Sequence, residues 1–474
     1  MRSSRLGLFG RSVVAAAGAV LIVGLIAGPT LAAKALSNGS RWSSATAISP
    51  TLQPDPTRGS QLNDVAVNAS GQAIAAWDQY TYDSGGGATI GAAVQSGRGW
   101  AAPFTISGTS GFSTAPKVAI GADGTMAVSW TAQDPASGTS PQQRIQVAVK
   151  PAGSSTWTTT TLAQGPLGGV SVTEFVPLGV DAKGDVTAAW TLWNGSHNVM
   201  QAATKLAGQP WSANVALAPG VDAIFPALDV NPAGRAAVVF AATPYPGTAM
   251  TNVAKAVLLS GPTGTWSAPV DVSETISSSV GYVSSPQVAL DANGLATVVY
   301  MGSGVESTRQ LAGGTWTTPA SVIPAPNAVS SFTSSDLGLD ANGNAVVAAS
   351  VFDATINVDR ASIWVSRGTP NGTWGTPVRI TDPSVPVDAY ASSVAVSPDG
   401  TLAVVGWIDH FHGTVEASRL VSGTWAGPTT FGRGTAFSSF QETLVLDAGS
   451  GTVARAIWKH VKSGIVVTAA DYRG

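Results

Sequence analysis

The chain has 474 residues, with 24 Lys and Arg against 27 Asp and Glu, a formal net charge of −3 and only 11% charged residues. That balance offers no basic footprint for a phosphate backbone, so nucleic acid is not an expected partner. There is no cysteine, which excludes a disulfide framework, a thiolate nucleophile and a thiolate metal ligand.

The first element is an export signal. Arg2, Arg5 and Arg11 precede an uncharged run, residues 12–33, that is rich in Val, Ala, Leu and Ile; Pro29 and the small-residue stretch Ala33-Lys34-Ala35 follow. This order predicts a secretory signal over residues 1–35, cleaved after Ala35. An uncleaved membrane anchor is the alternative, because the run approaches the ~20 residues that span a bilayer. Either way the remainder, residues 36–474, is expected outside the cytoplasm, secreted or held at the cell surface, as one domain.

Beyond the signal the chain repeats itself. A Trp opens a short apolar segment at Trp42, Trp100, Trp157, Trp211, Trp266, Trp316, Trp374 and Trp425. A turn glycine closes a polar tetrad at Gly71, Gly124, Gly184, Gly234, Gly294, Gly343, Gly400 and Gly451. A bulky aromatic ends the next strand at Trp77, Trp130, Trp190, Phe240, Tyr300, Trp407 and Trp458; the sixth repeat has Ala349-Ser350 instead. In the fifth repeat the unit reads Gln287-Val-Ala-Leu290, Asp291-Ala-Asn-Gly294, then 295–300. An Asp or Asn side chain that bonds the backbone ahead, with a glycine that tolerates positive φ, is a hairpin signal. A third apolar segment and the Trp segment complete four strands, rich in Val, Ile, Thr and aromatics, and no helical period is sustained.

Proline recurs three residues after the Trp, at Pro103, Pro269, Pro319, Pro377 and Pro428. It cannot donate to a ladder, so the Trp strand is expected outermost and the strand before the tetrad innermost. Eight four-stranded units in series predict an all-β, eight-bladed β-propeller. The mature chain opens on a Trp strand, 42–48, and ends on a third strand, 465–471, so the N-terminal strand is expected to complete the last blade.

The hairpin Ser397-Pro398-Asp399-Gly400-Thr401, set between apolar strands, resembles those of bacterial propeller repeats of the WD, TolB-like and sialidase-like groups, a resemblance of fold over residues 42–474. The sialidase Asp-box, Ser-x-Asp-x-Gly-x-x-x-Trp, is not met before Trp266 or Trp425, and the Gly-His and Trp-Asp signature of WD repeats is absent.

If the Trp strand is outermost, the long loops entering the innermost strands share one face. Seven carry an aromatic: Phe112, Phe175, Phe225, Tyr282, Phe332, Tyr390 and Phe440. They can form stacking platforms for sugars or an aromatic mouth for a protein partner, or they can pack neighbouring repeats together. Carboxylates on the same loops are Asp64, Glu174, Asp222, Asp336, Asp388 and Glu442. Glu174, Glu442, Asp222 and Asp388 are the candidates for an acid and a base should the chain cleave glycosidic bonds. Arg58, Arg360 and Arg433 form no recognisable anion-binding set. Asp409-His410-Phe411-His412 places two imidazoles on one side of an extended segment, a two-ligand metal candidate or a solvated loop. No cofactor is implied: the tetrads offer too few consecutive oxygens for a calcium loop, and Gly85-Gly86-Gly87 lacks the lysine of a phosphate cradle. The sequence thus predicts a monomeric, exported, non-catalytic binding or scaffold propeller contacting a glycan or a protein through its loop face. A carbohydrate-active hydrolase or lyase, and a structural envelope protein, are the alternatives.

Overall fold

The hairpin chemistry builds the molecule. In the third repeat Asp181 Oδ1 accepts the N–H groups of Lys183 at 2.8 Å and Asp185 at 2.9 Å, and Gly184 sits at φ +84°. The left-handed glycine turns the chain back on itself, so Leu178–Val180 pairs antiparallel with Val186–Trp193. The sheet continues through Asn198–Lys205 to Val215–Ala216 in that order. Asn231, Asp291 and Asp340 make the same two side-chain acceptances at their own turns.

This computed structural model describes residues 42–51, 63–81, 87–97, 99–108, 111–134, 142–166, 175–245, 251–277, 283–325, 330–353, 361–433, 444–461 and 465–473. Among them every regular element is a β-strand. The four-strand order recurs from Val221–Val230 to Val270–Asp271, from Ser284–Leu290 to Ala320–Ile323, from Ser330–Leu339 to Val378–Arg379, and from Ala389–Val396 to Thr424–Trp425. The first two repeats are joined into one sheet by a single parallel contact, Ala88 beside Phe112. In the last sheet Leu444–Ala448, Val453–Val461 and Ile465–Arg473 are followed by the N-terminal Thr46–Ala47, which pairs with Thr468 and Ala469. The arrangement is all-β and propeller-type, with the strand before each tetrad at the inner edge.

The core lies between consecutive sheets. One cluster joins Ala127, Ile145 and Val147 to Leu178, Val186 and Trp190 of the next repeat. Trp77, Trp130, Trp190, Phe240, Tyr300, Trp407 and Trp458 are all essentially unexposed. A buried indole needs an acceptor, and the residue directly across on the third strand supplies it: Gln146 accepts from Trp130 at 2.9 Å and Gln201 from Trp190 at 3.1 Å. In the first repeat Gly91 stands there, and a Cβ would come within 2.5 Å of Trp77 Nε1. The sixth repeat moves its ring to the third strand, where Trp364 faces Ala349.

An inner strand is a sheet edge, and its free N–H groups need partners. The neighbouring repeat provides carboxylates. Asp64 accepts from Val118 at 2.9 Å, Asp229 from Leu290 at 2.7 Å, Asp336 from Val394 at 2.7 Å and Asp447 from Val67 at 2.6 Å. The last of these links the final repeat to the first. On the hairpin side Ser450 donates to Ala69 O at 2.6 Å, across the same seam.

Candidate functional site

The inner strands share an irregularity that positions the site. Ala115-Pro116 stands opposite the single residue Trp130, Phe225-Pro226 opposite Phe240, Ser285-Pro286 opposite Tyr300, and Ala391-Ser392 opposite Trp407. Each is a two-against-one β-bulge, and the proline of the first three is tolerated because an edge strand at a bulge needs no ladder donor there. The bulge directs the entering segment onto the loop face.

In the seventh repeat that segment brings together residues that are separate in sequence. Ala389–Val396 pairs with Ala403–Asp409, so Ala389 lies across from Asp409 and Tyr390 from Ile408. Asp409 is fully buried, and its Oδ1 accepts the N–H of Asp388 at 3.1 Å and of Phe411 at 2.9 Å. Its Oδ2 lies 2.5 Å from His412 Nδ1. His410, 6% exposed, donates its backbone N–H to Asp388 O at 2.9 Å and stacks on Tyr390 with ring centroids 5.1 Å apart. Burial pushes the Asp388 carboxyl above its ordinary range, against the pull of the Ala361 N–H, His410 and the Tyr390 side chain. Burial also holds His410 below the usual imidazole value, against Asp388 and Asp409. Glu416, on the next strand, is raised by burial and by Asp409.

The cluster therefore holds a carboxyl and an imidazole that burial shifts in each case towards the uncharged form. A carboxyl and an imidazole whose proton affinities are perturbed by burial at one place mark a candidate acid–base site. Of the sequence candidates, Asp388, Tyr390, Asp409, His410 and His412 meet here. Asp409 and His412 bond each other, and among the described residues no group of three or more His, Asp or Glu is arranged to hold a metal ion.

The remaining candidates lie elsewhere. Asp222 Oδ1 accepts both the backbone and side-chain N–H groups of Asn198, each at 2.8 Å. Asp64 lies 3.6 Å from Lys117, whose ammonium sits 4.7 Å above the Phe175 ring. Asp64 and Asp336 belong to the inner-edge set of carboxylates, so they join repeats rather than line a loop. Phe332 packs against a core cluster of the fifth and sixth repeats, Phe112 is half-buried, and Phe225 is 47% exposed. Arg433 ends the strand Thr429–Arg433, and its carbonyl accepts the Trp458 indole at 3.0 Å. Arg58, Glu174, Tyr282, Arg360, Phe440, Glu442 and the export signal fall outside the described residues.

Sequence reasoning missed Glu416 and a buried ion pair, Lys459 with Asp78 at 3.4 Å. The signal for Glu416 was its register: it faces Trp407 across the strand pair, where the second and third repeats place Gln and the fifth places Glu306. A groove of about 1050 Å³ at the outer rim is lined by Trp42, Gln95, Trp100, Asp471 and Arg473 among others, and it holds none of the sequence candidates.

No protein-family model and no curated protein matches the sequence. Solved structures do match in fold. The α-L-arabinofuranosidase of Fusarium graminearum, solved with arabinobiose, is 12% identical, with 91% of this chain and 98% of that one covered at a TM-score of 0.46. A Penicillium chrysogenum α-L-arabinanase is 9% identical, covering 90% and 98% at 0.42, and an ulvan lyase is 11% identical, covering 90% and 94% at 0.43. At these identities the likeness is one of fold. The three proteins named are carbohydrate-active enzymes, and the expectation of a non-catalytic binding or scaffold module does not agree with that finding.

Proposed function

We propose that this chain is an exported, monomeric, carbohydrate-active enzyme, a glycan hydrolase or lyase, on an eight-bladed propeller. The observation that carries the reading is the cluster of half-buried Asp388 and Tyr390 with buried Asp409 and His410. Asp388 is the proton donor to the leaving oxygen, and His410, neutral at physiological pH, is the proton acceptor, packed against Tyr390. Asp409 is a positioning residue: it holds the backbone after His410 to that of the entering segment through the N–H groups of Phe411 and Asp388. Eight Trp markers support the blade count, as do the inner strands laid one beside the next, with Asp447 joining the last to the first. Pairing of Thr46–Ala47 with the C-terminal strand supports closure of the ring by the N-terminus. The Arg-led apolar run over residues 1–35 supports export.

Incubation of the protein with a panel of polysaccharides, followed by product analysis, tests the reading. A reducing end without unsaturation means hydrolysis, and an unsaturated terminal sugar means elimination. Asp388→Asn and His410→Gln are each expected to lower kcat by about 10²–10⁴-fold, the usual share of one acid or base. The rate of the parent is expected to fall towards acid pH as His410 gains its proton. Turnover that survives both substitutions would remove the site.

A further inference from the structure

Phe225 is where the fold spends stability without a structural return. It sits at φ +55°, a left-handed conformation that is a true outlier for a bulky side chain, and the proline that follows narrows its choices further. The same step, six residues before the hairpin turn, carries Ala115 at φ +57° in the second repeat and Ser285 at φ +47° in the fifth. The backbone therefore demands this conformation, and two sister repeats meet it with small side chains. Ala115 is fully buried, whereas Phe225 leaves 47% of a phenyl surface exposed. Strain and exposed apolar area at one position both oppose folding. An outlier of this kind is evidence of a task outside the folded chain itself.

The chemistry around it narrows the ligand. The inner strands Asn63–Val67, Phe112–Ile120, Leu178–Val180, Val221–Val230, Ser284–Leu290, Ser330–Leu339, Ala389–Val396 and Leu444–Ala448 carry Asp64, Asp222, Asp229, Asp336 and Asp447 against one cation, Lys117. That cation is already taken by Asp64 at 3.6 Å and by the Phe175 ring. These strands therefore offer no counter-charge for a uronate or sulfated glycan, which leaves the apolar face of an uncharged sugar as the partner for a phenyl ring.

We infer that Phe225 is a stacking platform for an uncharged sugar unit of a neutral glycan. The inference rests on the glycan-active reading and deepens it. Elimination needs a carboxylate on the sugar whose proton is taken, so a neutral substrate directs the chemistry to hydrolysis.

The test measures calorimetric binding of cello-, xylo- and arabino-oligosaccharides, with an oligogalacturonate as the charged comparison, to the full chain carrying Asp388→Asn, which blocks turnover. At least one neutral probe is expected to bind, and Phe225→Ala in the same background is expected to weaken it about tenfold, the scale of one aromatic contact. Phe225→Tyr should restore binding to within about threefold. The melting temperature of Phe225→Ala should not fall, because Ala115 already occupies the equivalent backbone; a drop would mean that the ring serves packing, and the inference fails. Tighter binding of the oligogalacturonate, or no binding of any neutral probe at millimolar concentration, also overturns it. Turnover of a neutral glycan by the parent with KM unchanged by Phe225→Ala sinks the platform and leaves the enzyme standing. Binding that depends on Phe225 without turnover by the parent sinks the enzyme and leaves the platform.

Discussion

The seam between the last and first repeats contains a charge pair with almost no contact with water. Lys459, on Val453–Val461, is 1% exposed, and its ammonium lies 3.4 Å from an oxygen of fully buried Asp78, on Ala73–Thr81. The other Asp78 oxygen accepts the Thr114 hydroxyl of the second repeat at 3.2 Å. Burial, the largest influence, pushes Lys459 down to about 8, with Asp78 opposing it. Lys459→Met leaves the Asp78 charge without its cation, and breaking a buried pair from one side costs about 3–5 kcal/mol. Unfolding entropy of about 2.1 cal/mol/K per residue over ~400 residues amounts to roughly 0.8 kcal/mol/K, so the melting temperature should fall by about 4–6 °C. The double variant Asp78→Leu with Lys459→Met removes both charges and should recover most of that loss. The pH dependence gives an independent check. Between about 8 and the ordinary 10.5 the unfolded lysine holds a proton that the native one has released, so the native state should gain stability as pH rises through that window. In Lys459→Met this rise should vanish. Equilibrium denaturation of the parent, both singles and the double on either side of pH 8 decides the matter: if the single losses simply add in the double, the two charges do not interact and the reasoning is wrong.

Three further outcomes follow from the same packing. Trp42 is buried, stacked on Phe431 with centroids 4.1 Å apart and edge-on to Tyr472, so Trp42→Ala should cost about 3–5 kcal/mol in thermal or chemical denaturation. Asp447 is pushed up to about 7, first by burial and then, against the Val67 and Ala448 N–H groups, by the charges of Asp64 and Asp229. Native Asp447 thus holds a proton that the unfolded chain has lost between about 4 and 7; its stabilising contribution is complete at acid pH and disappears as pH rises through 7. Asp447→Asn keeps an acceptor for Val67 and should raise the melting temperature above pH 7 while flattening its decline from pH 5 to 8, read by a thermal-shift series. Gly91→Ala drives a methyl into the Trp77 indole and should destabilise by about 1–3 kcal/mol; an unchanged melting temperature would mean that the ring has room to move.

Much of this fold was legible because the signals are local and repeated. An Asp or Asn that captures two N–H groups across a left-handed glycine is a complete hairpin instruction, as Asp181 and Asp291 illustrate. Proline after the Trp marked one sheet edge correctly, since Val270–Asp271 after Pro269 and Val378–Arg379 after Pro377 are outer strands. The same residue at Pro116, Pro226 and Pro286 marked the other edge, and that went unread. These prolines lie inside apolar runs that otherwise read as continuous strands. The bulge they accompany becomes visible only through the opposing strand, where one aromatic faces two residues.

The site was legible in its parts and not in its assembly. Asp388 and Tyr390 stood out as a loop acid and a loop aromatic, and Asp409, His410 and His412 as a metal candidate, two readings of what is one group. What joins them is antiparallel register: a strand entering at Asp388 and a strand leaving at Asp409 must end beside each other once the hairpin between them is fixed. That hairpin, Ser397-Pro398-Asp399-Gly400, was itself identified, so counting outward from it would have set Ala389 opposite Asp409, save for the two-against-one bulge at Ala391-Ser392, which shifts the count by one. A single unseen residue of register separates two scattered loops from one cluster of side chains. Where chemistry sits at the mouth of a repeat, the irregular residues of the strand rather than its regular ones decide which side chains meet.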